Sequence, residues 1–195
     1  MPPIREVTAP GETLVEVLVD GFYEDPFMSW IFVDPETRGE ALAKWFRFWI
    51  ELYGSDGRMF LTEDDSAGSL WAMPDARGVD ADVMSDFIAL IAPWNGERTT
   101  LVLEGLGGLA QHPDETHWYL NAIAARRGRQ GAGLGAQLLE PMLEEADAAH
   151  TSVYLDSSNP RNLSFYYRHG FEPHRDCVVM PEGDARVQPM FRTAR

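Results

Sequence analysis

A glycine-rich run at residues 127–136, Arg-Gly-Arg-Gln-Gly-Ala-Gly-Leu-Gly-Ala, constrains this chain more than any other segment. It follows an apolar, strand-like stretch at 118–125 and precedes a helix-like stretch at 138–149. Glycines let the backbone turn sharply and approach a ligand closely. The unpaired amides of the first helical turn and the positive end of the helix dipole then face one point. The run therefore predicts a phosphate or pyrophosphate site, although a turn that only caps a helix would use the same residues.

The spacing of these glycines argues against two well-known phosphate loops. A Walker A loop requires a Lys-Ser or Lys-Thr pair, and the sequence contains neither. A dinucleotide-binding fingerprint requires G-x-G-x-x-G in an early βαβ unit. Here Gly131, Gly133 and Gly135 read G-x-G-x-G past the middle of the chain. The segment at 130–135 does match the pattern Q-x-x-G-x-G.

A second motif lies downstream, at residues 159–171, where the sequence is Asn-Pro-Arg-Asn-Leu-Ser-Phe-Tyr-Tyr-Arg-His-Gly-Phe. It resembles N-x-x-[FA]-Y-x-x-x-G-F, and the segment at 130–135 resembles an acetyl-CoA pyrophosphate loop. Both are signatures of the GCN5-related N-acetyltransferases, the GNAT family, and they stand in the family's order at about its separation. A weaker similarity to the puromycin N-acetyltransferase branch extends over four further segments, at 22–26, 117–120, 155–158 and 180–183.

This resemblance implies both a fold and an activity. The fold is of the α/β class, with a mixed, mostly antiparallel central sheet flanked by helices and with the fourth and fifth strands splayed apart. The activity is acetyl-CoA-dependent acetylation of the primary amine of a small molecule, such as an antibiotic-like or aromatic amine. The amine attacks the thioester directly in a ternary complex. The alternative is an acyl-CoA-binding regulatory module without turnover.

Hydrophobic spacing predicts the order of the elements along the chain. Helical spacing is found at four places in the front half, 11–22, 35–53, 79–92 and 98–110. Alternation predicts an early strand at 4–7 and an antiparallel hairpin of 57–62 with 68–73. The back half predicts strands at 116–125 and 152–155, the glycine loop with its helix over 130–149, a short helix at 161–169, and a closing strand pair of 171–179 with 187–193. Without a repeat or linker, residues 1–195 are expected to form a single domain.

Composition excludes several partners. The formal net charge of −15 argues against nucleic acid and would favour approach of a cationic amine, although solubility alone would explain it. No apolar run approaches the length of a membrane span. The single cysteine, Cys177, excludes an internal disulfide, and the scattered histidines suggest no metal. A metal-free, cytoplasmic protein is expected, as a monomer or homodimer, with no nucleic-acid or membrane partner.

Tyr166 is the predicted general acid. The family motif places a tyrosine at this position near the thioester sulfur, and a phenol is protonated at neutral pH. Tyr167 is the competitor, and for either residue a packed core aromatic is the alternative. Asn162 precedes Tyr166 by one helical turn, so the resemblance implies contact with the pantetheine arm; a polar residue at a helix start is the alternative.

The remaining cofactor contacts are implied by the resemblance. The backbone of the splayed strand should pair with the pantetheine amides, through Ile123, Ala124 and Ala125. The glycine loop should hold the pyrophosphate, through Gln130, Gly131, Ala132, Gly133, Leu134, Gly135 and Ala136.

The general base and the acceptor contacts are less defined. Asp156 follows the fifth strand, where a carboxylate would take a proton through water; a salt bridge or loop cap is an equal alternative. Glu24, Asp25 and His117 are further candidates, and the two acidic residues also suggest contacts to the amine. Asn121 is unusual in a central strand and is predicted to bind substrate or a neighbouring loop. The sequence does not name the amine.

Overall fold

A computed structural model describes residues 2–7, 11–54, 57–74, 76 and 79–195. It contains seven α-helices among these residues: α1 (Glu12–Phe22), α2 (Pro26–Ile31), α3 (Arg38–Tyr53), α4 (Ala81–Asn95), α5 (Thr99–Gly107), α6 (Leu134–Ala148) and α7 (Leu163–Arg168). Its strands are β1 (Ile4–Glu6), β2 (Gly57–Thr62), β3 (Ala67–Ala72), β4 (His117–Ala125), β5 (Ser152–Ser157), β6 (Glu172–Pro173), β7 (Val178–Val179) and β8 (Arg186–Arg192). No helix within the described ranges is long and apolar enough to cross a membrane.

The strands form an eight-stranded sheet in the order β1-β2-β3-β4-β5-β8-β6, with β7 also paired to β8. Strands β4 and β5 run parallel, and the other described pairs are antiparallel. The predicted α/β fold, with a mixed and mostly antiparallel sheet flanked by helices, is confirmed.

Each face of the sheet is covered by its own apolar core. On one face, helices α1 to α5 pack with the inward side chains of β2 and β3, such as Leu61 and Leu70. On the other face, α6 and α7 pack against side chains such as Trp71 and Trp118. Burial of each such side chain stabilises the fold by roughly 1.5–3 kcal/mol. The sheet therefore lies between two layers of helices.

Strands β4 and β5 part in the middle of the sheet. Their register runs from His117 opposite Ser152 to Leu120 opposite Leu155 and then stops. Beyond it, β4 continues to Ala125 on the β3 side alone, while β5 continues against β8. The predicted splay of the fourth and fifth strands is confirmed.

A β-bulge lies in β4 where the splay begins. Leu70 of β3 faces Ala122 and Trp71 faces Leu120, which leaves Asn121 as the extra residue. A bulge shifts the alternation of side chains. Leu120 consequently packs into the α6 core, whereas Ala122 packs into the core on the opposite face.

Helix α1 lies directly on this part of β4. A Cβ atom on Gly21 would lie 2.5 Å from the Cβ of Ala124 and 3.0 Å from the carbonyl oxygen of Ala125. Glycine at this position therefore lets the helix backbone rest against the methyl group of Ala124 and the strand backbone.

The structure adds one helix to the predicted elements and corrects one predicted strand. Helix α2 was not predicted, although Asp25 at its N-cap and Pro26 at its first position are a common helix start. The predicted closing strand at 171–179 is interrupted and forms only the short strands β6 and β7. Pro173, at the end of β6, has no amide hydrogen with which to extend the pairing.

Candidate active site

The glycine loop leads from β4 into α6 with its backbone amides open. Gly131 and Gly133 have φ values of 76° and 80°, the left-handed region that side chains disfavour. Gly133 is the N-cap of α6, and no side chain caps the first turn. Residues 127–133 are exposed. The loop and helix start therefore present unpaired donors to solvent, as an anion site requires.

Two arginines fix the loop from outside. Arg127 donates to the carboxylate of Asp20 on α1, from its amide over 2.7 Å and from its Nε over 2.9 Å. Arg129 donates to Asp64 in the β2–β3 turn over 2.9 Å. These bonds anchor the loop to α1 and to the β2–β3 turn.

Helix α7 is positioned by the start of α6. A Cβ on Gly135 would lie 3.3 Å from the ring of Phe165, so the helices touch closely at this point. The next residue, Tyr166, is buried between Phe165 and Phe171, with ring centroids 5.1 and 5.7 Å away. Packing on both sides fixes the direction in which the Tyr166 hydroxyl points.

The two tyrosines of the second motif have different surroundings. Tyr166 is 6% exposed and lines an interior cavity, whereas Tyr167 is 49% exposed and is not among the residues that line it. The Tyr166 hydroxyl has no hydrogen-bond partner among the described residues. Burial and the nearby charge of Asp25 raise the pKa of Tyr166, so the phenol stays protonated at neutral pH. Asn162 lines the same cavity, and its contact with the pantetheine arm stays a prediction.

Asp156 lies on β5 beyond the point where β4 departs. Tyr154 is two residues earlier on the same face, and its hydroxyl donates to Asp156 Oδ1 over 2.9 Å. Burial raises the pKa of Asp156 to about 7, against the opposing effects of the Tyr154 hydroxyl, the Arg175 charge and the Tyr119 hydroxyl. A carboxyl with this pKa can change protonation state at neutral pH.

Asp25 holds two parts of the site together. Its Oδ1 accepts the amides of Phe27 and Met28 at the start of α2, and its Oδ2 accepts the Ser158 hydroxyl over 2.8 Å. Burial raises the pKa of this carboxyl in spite of those bonds. Asp25 therefore joins α2 to the segment after β5. Glu24 is exposed, 3.9 Å from Arg127, and lies outside the cavity lining.

The other candidates lie along the strand and its entrance. Asn121, the bulged residue, and Ile123 both line the cavity. Ala124 and Ala125 follow on the stretch of β4 that has no β5 partner. His117 lines the cavity with its Nδ1 2.7 Å from the carbonyl oxygen of Glu115, and its tautomer depends on that bond.

One cavity of about 670 Å³ is lined by six of the candidate residues: His117, Asn121, Ile123, Asp156, Asn162 and Tyr166. It runs from the splay between β4 and β5, past Asp156, to the helices of the front half. Its aromatic lining comes from several elements: Phe22, Phe27, Trp45, Phe46, Trp49, Tyr53, Phe87, Tyr119 and Tyr166. The inner end of this cavity lies beside β4 and β5. Its outer end is formed by side chains from the helices of the front half.

Sequence reasoning missed three residues of the site. Tyr119 and Tyr154 are opposite each other in the β4–β5 register, and Tyr154 shares a strand face with Asp156. Alternation of side chains along each strand would have placed Tyr119, Tyr154 and Asp156 together once β4 and β5 were paired. Phe87 comes from α4, and no local signal in the sequence connects that helix to β5.

Metal ligands do not converge in the described part of the chain. Within it, no group of three or more His, Cys, Asp or Glu side chains is placed to hold an ion. The expectation of metal-free activity stays a prediction.

A glycine loop at a helix start, beside two strands that part, defines the site of an acyl-CoA-dependent transferase. The sequence profile of the Acetyltransferase (GNAT) family matches residues 21–171, and the chain belongs to this family. It is an acetyl-CoA-dependent N-acetyltransferase. The family prediction is thus confirmed, while the resemblance to the puromycin branch stays a prediction.

Similar proteins agree with this assignment. An uncharacterised N-acetyltransferase of Schizosaccharomyces pombe is 22% identical over 175 residues, which cover 79% of this chain and 67% of that protein. The Corynebacterium glutamicum protein named histone acetyltransferase HPA2 and related acetyltransferase has a structure that matches with a TM-score of 0.71 at 22% identity, over 100% of this chain and 97% of that one. A Bacillus subtilis acetyltransferase in complex with CoA matches with a TM-score of 0.55 at 10% identity, over 100% of both chains.

Proposed function

We propose that this protein acetylates the primary amine of a small molecule by direct attack of the amine on acetyl-CoA. The observation that supports this most is that one cavity brings Tyr166 and Asp156 together where β4 and β5 part. A phenol that stays protonated and a carboxyl that titrates near pH 7 are the acid and the base that amine acetylation needs.

The cofactor would lie along the open edge of β4. Residues 122–125 pair with β3 on one side and have no β5 partner on the other. Backbone groups of Ile123 and Ala125 are therefore free to pair with the pantetheine amides, as an added strand would. The pyrophosphate would bind the amides of Gln130 to Ala136, and Asn162 would contact the pantetheine arm from the other wall.

Asp156 would remove the first proton. A small alkyl amine is a cation at neutral pH and cannot attack until it loses one. Asp156 accepts that proton, and the Tyr154 hydroxyl fixes the carboxylate orientation from behind. The burial that raises the pKa of Asp156 to about 7 makes it a stronger base than an ordinary aspartate.

Tyr166 would supply the proton for the leaving group. Attack forms the nitrogen–carbon bond and gives a tetrahedral intermediate, which collapses as the carbon–sulfur bond breaks. The Tyr166 hydroxyl protonates the CoA thiolate. The second proton lost by the nitrogen restores the phenol through solvent, and Asp156 releases the first proton to solvent, so both groups return to their starting protonation states.

Thiol release from acetyl-CoA in the presence of an amine panel tests this function. The expected result is release that depends on the amine, with a product that is heavier by one acetyl group. Saturable acetyl-CoA binding with no amine-dependent release would contradict the proposal and favour a regulatory module. Absence of acetyl-CoA binding would contradict the assignment of the loop as well.

A further inference from the structure

We infer that the acceptor amine carries a bulky apolar or aromatic body and no carboxylate or phosphate. The inference rests on the proposed acetyl transfer and names the substrate class of the same cavity. Three observations carry it: a packed aromatic wall, an exposed apolar rim, and the absence of cationic side chains among the described lining residues.

The aromatic wall comes from α3 and α4. Phe87 packs against Trp45 and Trp49 with ring centroids 5.1 and 5.6 Å apart, and Trp49 stacks on Tyr53 at 5.8 Å. All four residues line the cavity. Rings that already hold one another lose little freedom when a ligand binds, so an aromatic body gains burial and stacking at low entropic cost.

The rim of the cavity is apolar where a surface is usually polar. Met73, Val79 and Met84 belong to the lining, and all three are exposed large hydrophobic residues. Exposed apolar side chains that are grouped around a cavity are typical of ligand or partner contacts. Together with the wall, they extend one apolar surface from beside Asp156 to the outside.

The charges of the cavity are acidic. Asp156 lies inside, and Asp114 and Glu115 are on the loop before β4. None of the described lining residues is a lysine or an arginine. A carboxylate or phosphate on the acceptor would therefore meet no lysine or arginine among these lining residues and would face like charge, which is unfavourable. The charge of Arg175, which is not in the described lining, already acts on Asp156.

The lining residue His112 does not supply the missing positive charge. Burial of its ring against Tyr119 and Tyr154, together with the neighbouring His117 and Arg175, lowers the pKa of His112 to about 4, although part of the residue is exposed to solvent.

Matched amines test the inference. Phenethylamine and phenylalanine differ by one carboxylate, phenylalanine methyl ester restores neutrality at similar size, and ethylamine lacks the ring. The expected kcat/KM for phenethylamine exceeds that for ethylamine by about 10-fold to 100-fold, from burial of the phenyl group. It exceeds that for phenylalanine by at least about tenfold, and the ester recovers most of that loss. Binding of each amine, followed by tryptophan fluorescence because Trp45 and Trp49 line the cavity, should rank them in the same order.

Two valines provide a matched pair of variants. Val79 is 47% exposed and lines the cavity, whereas Val33 is 49% exposed and does not. Val79→Lys should lower kcat/KM for phenethylamine at least about fivefold. It should also reduce the ratio of kcat/KM for phenethylamine to that for phenylalanine, because the new lysine ammonium pairs with the carboxylate of phenylalanine. Val33→Lys should leave both values unchanged, and acetyl-CoA affinity should be the same in both proteins.

The outcomes separate this inference from the proposed function. If phenylalanine or ethylamine is acetylated as well as phenethylamine, the inference is overturned and acetyl transfer stands. If no amine is acetylated, the proposed function is overturned, and the fluorescence order then decides whether the cavity selects apolar, uncharged bodies. Equal binding of phenethylamine and phenylalanine would sink the inference in that case also.

Discussion

The inner and outer ends of the cavity are built on different principles. The inner end adjoins consecutive backbone, which runs from the free edge of β4 through the glycine loop to the first turn of α6. The outer end is made by side chains from α1, α3 and α4, which are far apart in the chain. The inner end should therefore depend on backbone conformation and tolerate most side chains. The outer end should depend on side-chain identity, and Tyr166 and Asp156 lie where the two meet.

The largest effect is expected from Gly133→Val. Gly133 has a φ of 80° at the N-cap of α6. Valine in that conformation adds about 1–3 kcal/mol of strain, and its side chain occupies the space in front of the first-turn amides. Binding of acetyl-CoA, measured by calorimetry, should be lost with the fold intact.

Gly107→Val is the matched control, because a Cβ there meets no atom within 4 Å and the φ is not positive. The control should bind acetyl-CoA normally. Unchanged affinity in a folded Gly133→Val protein would show that the inner end does not depend on this turn.

Tyr166→Phe should reduce kcat by about 10²–10⁴ with little change in acetyl-CoA affinity. The substitution keeps the buried ring and removes only the hydroxyl. Tyr167→Phe is the control at the neighbouring, exposed position and should be mild. Single-turnover kinetics measure both. The reverse ranking of the two variants would mean that the wrong tyrosine has been assigned as the acid.

Asp156→Asn should reduce kcat/KM by about 10²-fold and change the pH profile. In the wild type the base is active when deprotonated, so kcat/KM should fall as the pH drops below about 7. This limb should disappear in Asp156→Asn. Tyr154→Phe removes a donor that lowers the pKa of Asp156, so the limb should move up by about one unit. A limb that persists in the asparagine variant would assign it to another group.

Asp156→Asn should also stabilise the folded protein. The folded pKa of Asp156 is raised from 3.8 to about 7, so the folded state binds a proton that the unfolded state has released between these values. The free energy of unfolding of the wild type therefore falls through this one group as the pH rises from 4 to 7. Asparagine avoids that loss, and the gain should be near zero below pH 4 and about 1–2 kcal/mol above pH 7, allowing for solvent access through the cavity.

Thermal unfolding at several pH values measures this gain. Asp176→Asn, at an exposed position, is the control and should show no such pH dependence. A destabilised Asp156→Asn protein at pH 8 would mean that the carboxylate is needed for folding rather than for chemistry.

The smallest effect is expected from chelation. Neither end of the cavity has a convergent set of metal ligands among the described residues. Addition and removal of EDTA should therefore leave turnover unchanged. Loss of activity that a divalent ion restores would contradict the proposed division of the site between backbone and organic side chains.

The difference between the inner and outer ends of the cavity also explains which parts of the site could be predicted from the sequence. The glycine loop and the motif around Tyr166 are local, and their spacing carries the backbone geometry directly. Helix positions also followed from spacing, as in α3, where Leu42, Trp45 and Phe46 are buried at i, i+3 and i+4. The splay of β4 and β5 was expected only through family resemblance.

Residues that meet through tertiary packing could not be predicted in the same way. Phe87 reaches the cavity because α4 packs on α3, and hydrophobic spacing shows only that it is buried. Asp25 has the sequence signature of a helix cap, yet its bond to Ser158 joins residues 133 positions apart. The missed helix α2 is short, and its start signal was attributed to family similarity.

The contact of Gly21 with Ala124 links the two ends mechanically. Phe22, the next residue along α1, lines the cavity proposed for the acceptor amine. Ala124 lies on the edge of β4 that is proposed to bind pantetheine. Because the α1 backbone at Gly21 rests against the methyl group of Ala124 and the carbonyl oxygen of Ala125, a displacement of the helix is transmitted to the strand with no long side chain between them. We expect each substrate to alter the affinity for its partner, and thermodynamic reciprocity then requires the two changes to be the same factor.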